Sequence, residues 1–188
     1  MRSADKPTRA EIAAAAGKTL TDVIAPDLRV LFCGFNPGLY SGATGHHFAR
    51  PGNRFWPTLY AAGFTDRLLA PAEERLLLTY GYGLTNFVER ATTAASDLEP
   101  AELRAGAQRL QEKIGEYRPC VLAVLGITAY RSAFARPRAT LGPQPERIHS
   151  TRVWVLPNPS GLNAHYPPAD LAREFRNFRL TVVLDSEW

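Results

Sequence analysis

At 188 residues the chain is long enough to bury one hydrophobic core and short for two. An apolar fraction of 45% is that of an ordinary soluble domain, and no apolar run reaches the length of a membrane-spanning helix. The net charge of +4 and the pI of about 9.3 admit a polyanionic partner without requiring one. The span from Met1 to Lys18 carries charges and an alanine run instead of the apolar centre of a secretion signal, so a cytoplasmic location is expected. Cys33 and Cys120 each sit in an apolar, strand-like run and read as small core residues. Two cysteines cannot hold an iron–sulfur cluster, and no His/Cys spacing suggests zinc, so no metal and no cofactor are expected.

Residues 1–24 read as a polar, alanine-rich lead, with one helix over Thr8–Ala16 ended by Gly17. The core begins with a buried strand over Arg29–Phe35, which stops at the turn Asn36-Pro37-Gly38. A loop over Leu39–Gly52 follows, then a helix capped by Asn53 that carries Phe55, Trp56, Leu59 and Tyr60. A helix over Ala72–Leu78 and a strand over Leu84–Val88 lead into a polar loop, Glu89–Pro100. Helical spacing of Leu103, Leu110 and Ile114 predicts a helix over Ala101–Tyr117. Next come a strand over Cys120–Leu125, a helix over Thr128–Phe134 and a Pro/Arg-rich loop. The last elements are a strand over Val153–Leu156 and a helix over Ala169–Arg179 that presents Leu171, Phe175 and Phe178 on one face.

Strands alternating with helices predict a single three-layer α/β/α domain over residues 25–188, around a central, mainly parallel sheet. Such sheets bind ligands outside the carboxyl ends of their strands. Asn36-Pro37-Gly38, Asn86, Gly126 and Asn158-Pro159-Ser160-Gly161 all follow strand ends and are expected to converge there. The first loop lacks the third glycine of a dinucleotide fingerprint and the Gly-Lys-Ser/Thr of a phosphate loop, and alone it reads as a turn. The loop Asn158–Asn163 adds a lone apolar residue, Leu162, among small polar ones, the type of wedge that a base-flipping protein inserts into the vacated stack. His46 and His47 are neighbours on one extended loop and cannot easily converge on one ion. Phe48, flanked by polar residues, suits stacking on a planar base.

Three motifs together, Gly34-Phe35-Asn36-Pro37-Gly38, Pro51-Gly52-Asn53-Arg54-Phe55-Trp56 and Pro157-Asn158-Pro159-Ser160-Gly161-Leu162, resemble the mismatch-specific uracil/thymine-DNA glycosylases of the uracil-DNA glycosylase superfamily. The resemblance runs from about Ala25 to Phe178, and Gly45–Phe48 and Thr85–Arg90 look more like its thymine-DNA glycosylase side. It implies that Asn36 holds the attacking water and that Phe48 stacks on the flipped pyrimidine. It also implies that Gly34 and Phe35 line the base pocket, with Ser41 and His47 near the C5 edge of the base and Asn86 in the substrate site. Asn158, Pro159, Ser160, Gly161, Leu162 and Asn163 match the loop that enters the duplex and reads the widowed guanine. The continuation Asn163-Ala164-His165 lacks an arginine found in bacterial relatives, and Asn86 stands where some of them carry lysine. The expected partner is double-stranded DNA with a mismatched or damaged pyrimidine, met by a monomer away from membranes, at the nucleoid in a bacterium.

The implied chemistry is monofunctional hydrolysis by base flipping, as part of base excision repair; the alternative is a non-catalytic module that binds mismatched or damaged DNA. None of Lys6, Lys18 and Lys113 lies in the motifs, which argues against a Schiff-base step. An asparagine can orient water but cannot take its proton. A carboxylate on a carboxyl-edge loop would fill that gap. Glu73, Glu74, Glu102 and Glu112 read as solvated helix surface, and Glu89 as a partner for an arginine. Asp97, in a loop of small polar residues, is the expected second catalytic group; the competing reading makes it a helix cap or a solvated side chain.

Overall fold

The computed structural model describes residues 6–182. The ends of the expected lead and domain, residues 1–5 and 183–188, lie outside the described residues. Five strands form one sheet: β1 Val30–Gly34, β2 Tyr82–Asn86, β3 Val121–Leu125, β4 Gly142–Ile148 and β5 Thr151–Leu156, in the order β2-β1-β3-β5-β4. All neighbours run parallel except β4, which pairs antiparallel with β5. The helices are α1 Arg9–Ala13, α2 Leu39–Thr44, α3 Phe55–Ala61, α4 Pro100–Tyr117, α5 Ile127–Ala133 and α6 Pro168–Val182.

Alternation along the strands makes the three layers. Val30 and Phe32 point to one face, where they meet Phe55 and Leu59 of α3 and Leu171, Phe175 and Phe178 of α6. Leu31 and Cys33 point to the other, where they meet Leu103, Leu110 and Ile114 of α4 and Ala129 and Tyr130 of α5. The mainly parallel α/β/α fold expected from the sequence is the fold observed. Both cysteines are free thiols; Cys33 is buried and Cys120 partly so.

Four departures have local causes. The helix expected over Thr8–Ala16 is only α1, although Thr8 caps it in a reciprocal pair with Glu11. A six-residue helix, α2, occupies part of the expected loop, and one and a half turns leave no visible periodicity. Residues Pro71–Tyr80 form a 3-10 run ended by Gly81 at φ +80°, and β2 therefore starts two residues early, with Tyr82 opposite Val30. The Pro/Arg-rich stretch contains β4, whose Pro143 and Pro145 are tolerated because it is an edge strand.

The expected lead is not separate from the domain. Val23 exchanges both backbone hydrogen bonds with Leu84, Leu20 N donates to Glu89 O at 3.1 Å, and Ala91 N donates to Lys18 O at 2.8 Å. β2 is an edge strand with unpaired backbone groups, and the arm satisfies them while burying Ala15, Leu20 and Val23.

Phe32 is the hub of the α3/α6 face, edge-on to Phe55, Phe64, Tyr82 and Phe178 and stacked with Phe175, at centroid distances of 5.4–6.4 Å. Truncating it opens a cavity that five rigid rings cannot refill. Phe32→Ala is expected to cost about 3–5 kcal/mol, read as a lower denaturant midpoint at unchanged slope.

Candidate active site

The strand ends converge as the topology requires. A cleft of about 320 Å³ at the carboxyl edge is lined by Gly34 at the end of β1 with Phe35 and Asn36 just after it, Asn86 at the end of β2, Leu125 at the end of β3, and Asn158, Ser160 and Leu162 after β5. Ser41 from α2, the His47–Phe48 segment, Arg50, Asn53 and the stretch Thr92–Ala95 complete the wall, together with Leu20 from the N-terminal arm.

Asn36 is oriented without ambiguity. Its Nδ2 donates to Pro37 O at 3.1 Å, to Arg90 O at 3.2 Å and to Thr92 Oγ1 at 2.7 Å. Two of these partners are carbonyls that can only accept, and the Thr92 hydroxyl spends its own proton on Ala94 O at 2.8 Å. The amide nitrogen must face them, which leaves Oδ1 as the acceptor turned to the cleft. Thr92 is 5% exposed, so this arrangement is held inside the wall.

His47, 1% exposed, is fixed at four points. Its backbone N donates to Glu74 Oε2 at 2.7 Å and its O accepts from Trp56 Nε1 at 3.1 Å. Its Nε2 lies 3.1 Å from Thr21 O, an acceptor, so Nε2 carries the proton. Burial pulls the ring pKa below its ordinary value, against the opposing pull of Glu74, which keeps the ring neutral and Nδ1 bare. Asn86 therefore turns its Nδ2 to Nδ1, at 3.4 Å, and its Oδ1 lies over Gly34 at the cleft floor, where an added Cβ would strike it.

Phe48 adopts φ +54°, a left-handed conformation that is uncommon for a bulky residue. This turns one face of its ring onto Phe55, at 4.1 Å and 24° between planes, and leaves the ring edging the cleft, 3.3 Å from a Cβ built on Gly34. Ser41, 4% exposed, accepts from Ala49 N at 3.2 Å and so braces the same turn. On the opposite rim Leu162 is 77% exposed at the tip of a loop shaped by Asn158, whose Oδ1 accepts from Ser160 N at 2.9 Å. Pro159 is buried at the base of that loop, and Asn163 Nδ2 closes it on Asn158 O at 2.9 Å.

Asp97 is not brought into the cleft. Its Oδ2 accepts from Ala94 N at 2.9 Å, closing a single 3-10 turn, and the residue is exposed. A backbone donor three residues back is within easier reach of its short side chain than the cleft is, so it caps the turn whose neighbours Thr93–Ala95 line the wall. Glu89 pairs with Lys113 at 3.4 Å and not with an arginine; Arg90 pairs with Glu102 at 2.8 Å. Glu74 is not solvated surface: it is 7% exposed, and its second oxygen meets His46 Nδ1 at 3.0 Å. Among the described residues no carboxylate lines the cleft, and no group of three or more His, Cys, Asp or Glu is placed to hold a metal ion.

Sequence reasoning missed Thr92, Glu74, and Leu20 with Thr21. Nothing local marks them, because each acts on a residue far away in the chain. Arg54 stood in a quoted motif without a role.

The family model of the uracil DNA glycosylase superfamily matches residues 21–179. Among solved structures, the chain is similar to the solution NMR structure of a candidate uracil DNA glycosylase from Methanosarcina acetivorans. The TM-score is 0.57 at 18% identity, over 87% of this chain and 98% of that one, a likeness of fold. Because the matched span holds all five strands and nearly the whole cleft wall, the chain belongs to the uracil DNA glycosylase superfamily.

Proposed function

We propose that the protein is a monofunctional DNA glycosylase that extrudes uracil, or thymine, from a mismatch with guanine and hydrolyses its N-glycosidic bond. The observation that carries this reading is Asn36, whose amide nitrogen is consumed by the wall so that Oδ1 is the acceptor left for a water. That water attacks C1′ of the sugar as the C1′–N1 bond breaks, and the bonding pair leaves with the base. Asn36 aims the water but does not take its proton, which passes to solvent or the departing base. Lys113 is bound to Asp22 and is not a cleft-lining residue, so it offers no amine for a lyase step.

The other walls fit a flipped pyrimidine. Phe48 supplies a ring already backed by Phe55, so little order is lost on stacking. Asn86 Oδ1 at the floor is an acceptor and matches the N3–H of uracil or thymine; cytosine would set its own N3 lone pair against that oxygen. Leu162, exposed at the tip of its loop, supports a wedge role, because an apolar side chain free to enter the duplex can fill the hole in the stack. That no carboxylate among the described residues lines the cleft favours one second reading, a non-catalytic module that binds mismatched or damaged DNA.

Four labelled substrates separate these readings: uracil opposite guanine, uracil opposite adenine, thymine opposite guanine, and single-stranded uracil. Uracil opposite guanine is expected to be excised, and Asn36→Ala to slow the chemical step about 100-fold with DNA affinity kept. Tight binding without excision by the unaltered protein would establish the binding module instead.

Leu162→Ala is expected to slow excision from duplex more than from single strands, because unstacking is worth about a few kcal/mol only in the duplex. Phe48→Ala is expected to lose about 1–3 kcal/mol of base stacking on both substrates. Equal losses for the two variants on each substrate would rule out distinct wedge and stacking roles.

The neutral His47 ring sets an acid limit. Its folded pKa lies below the ordinary 6.5, so the stability and the Asn86 orientation that depend on it are complete above 6.5. Both are lost as pH falls through the lower folded value, when Nδ1 gains a proton and can no longer accept from Asn86. Single-turnover excision against pH is expected to show an acid limb that His47→Gln abolishes; the same limb in the variant would assign it to another group.

A further inference from the structure

Among the described residues, the side-chain hydrogen bonds that tie the insertion loop, residues 158–166, to the rest of the domain come from Arg54. The loop's internal bonds, Asn158 Oδ1 to Ser160 N and Asn163 Nδ2 to Asn158 O, shape the turn but anchor it only to itself. Arg54, at the start of α3, supplies the anchor: Nη1 donates to Tyr166 O at 2.6 Å, and Nη2 donates to Asn163 O at 2.8 Å and to Ser160 O. Its backbone N donates to Pro159 O at 2.9 Å. Beside it Gly161 lies against the Gly52 carbonyl so closely that any Cβ would collide. The Arg54 Nε is buried without a protein partner, so the grip is made by the two terminal nitrogens.

We propose that Arg54 is the positioning residue of the insertion loop, holding Leu162 at a fixed place relative to Phe48. This rests on the glycosylase reading above. The guanidinium meets the three carbonyls from two nitrogens held apart in a rigid plane, whereas a lysine ammonium would have to donate from a single atom on a flexible stem. Leu162 and Phe48 act on opposite sides of the same event, one entering the stack as the other receives the base. Arg54 stands six residues from Phe48 in the chain and grips the loop that bears Leu162, so wedge and stacking ring belong to one body. An unclamped loop would have to be ordered during insertion, and that entropy cost falls on the duplex step alone.

The test compares Arg54→Ala, Arg54→Lys, Leu162→Ala and the Arg54→Ala/Leu162→Ala double variant. Single-turnover excision is measured on uracil opposite guanine and on single-stranded uracil. Hydrogen exchange is followed at the backbone amides of residues 160–165, with β1 and β3 as internal references. Arg54→Ala is expected to slow duplex excision about tenfold or more and single-strand excision less than about threefold, with Arg54→Lys between Arg54→Ala and the unaltered protein. The double variant should be no slower on duplex than the slower single variant, because both remove one step. Exchange at 160–165 should quicken while β1 and β3 stay protected.

Equal losses on the two substrates, additive losses in the double variant, or unchanged exchange at 160–165 would overturn the proposal. If the unaltered protein excises nothing, the glycosylase reading fails, and the exchange measurement still decides whether Arg54 holds the loop. If Arg54→Ala does not fold, Arg54→Lys carries the same comparisons.

Discussion

Parallel strands pair evenly only when neighbours run in step, and β1 is paired on both sides: Gly34 stands opposite Asn86, and Cys33 opposite Val124. β5 continues the step from β3, with Leu125 opposite Leu156. The chain therefore leaves the sheet at one level in four places, and the residues just past those levels are Phe35-Asn36, Phe87, Gly126 and Pro157-Asn158. Every cleft contact depends on that register. A slip of one residue would send Phe32 from the aromatic face to the α4 side and Asn86 away from His47.

Within the cleft, polar atoms are aimed by backbone carbonyls. The carbonyls of Pro37 and Arg90 decide which end of Asn36 faces inward, and the carbonyl of Thr21 decides which nitrogen of His47 bears hydrogen. A carbonyl has no second state, so the orientation it imposes does not depend on pH or on hydroxyl rotation. His47 carries the choice one step further to Asn86 as long as the ring stays neutral, which burial favours. The cleft is thus polarised by dipoles already fixed in place, which need no reorganisation when a ligand enters.

The segment from His46 to Trp56 gathers several anchors around one strained residue, Phe48. Gly52 takes positive φ, +84°, at no steric cost, but the left-handed Phe48 persists only when its surroundings over-determine it. Glu74, Trp56 and Ser41 supply those constraints from three different elements. Buried Glu74 satisfies a backbone donor and a histidine at once, which accounts for a carboxylate held out of water.

Apolar runs and turn residues were enough to determine the layers from sequence. Arg29–Phe35 and Cys120–Leu125 are too apolar on both faces to be anything but central strands, and the spacing of Leu103, Leu110 and Ile114 marks a helix lying on them. The strand-end rule then placed Asn36, Asn86 and Asn158 on one edge, and the cleft contains all three. Ser41, His47, Phe48 and Leu162 line the same cleft. The short elements were not legible: α2 is briefer than a helical repeat needs, and β4 carries prolines that read as loop. Nor was the fate of the acids. The neighbours of Asp97 and Glu74 mark neither fate, yet one caps an exposed turn through a donor three residues back and the other is buried on a donor 27 residues away, because burial depends on which backbone donor the fold brings within reach. The same holds for Thr21, Thr92 and Arg54, whose partners lie 26, 56 and 106–112 residues away in the chain. Periodicity and turn chemistry are local and could be read from the sequence; hydrogen bonds that close across the sheet edge exist only once the fold has brought their ends together.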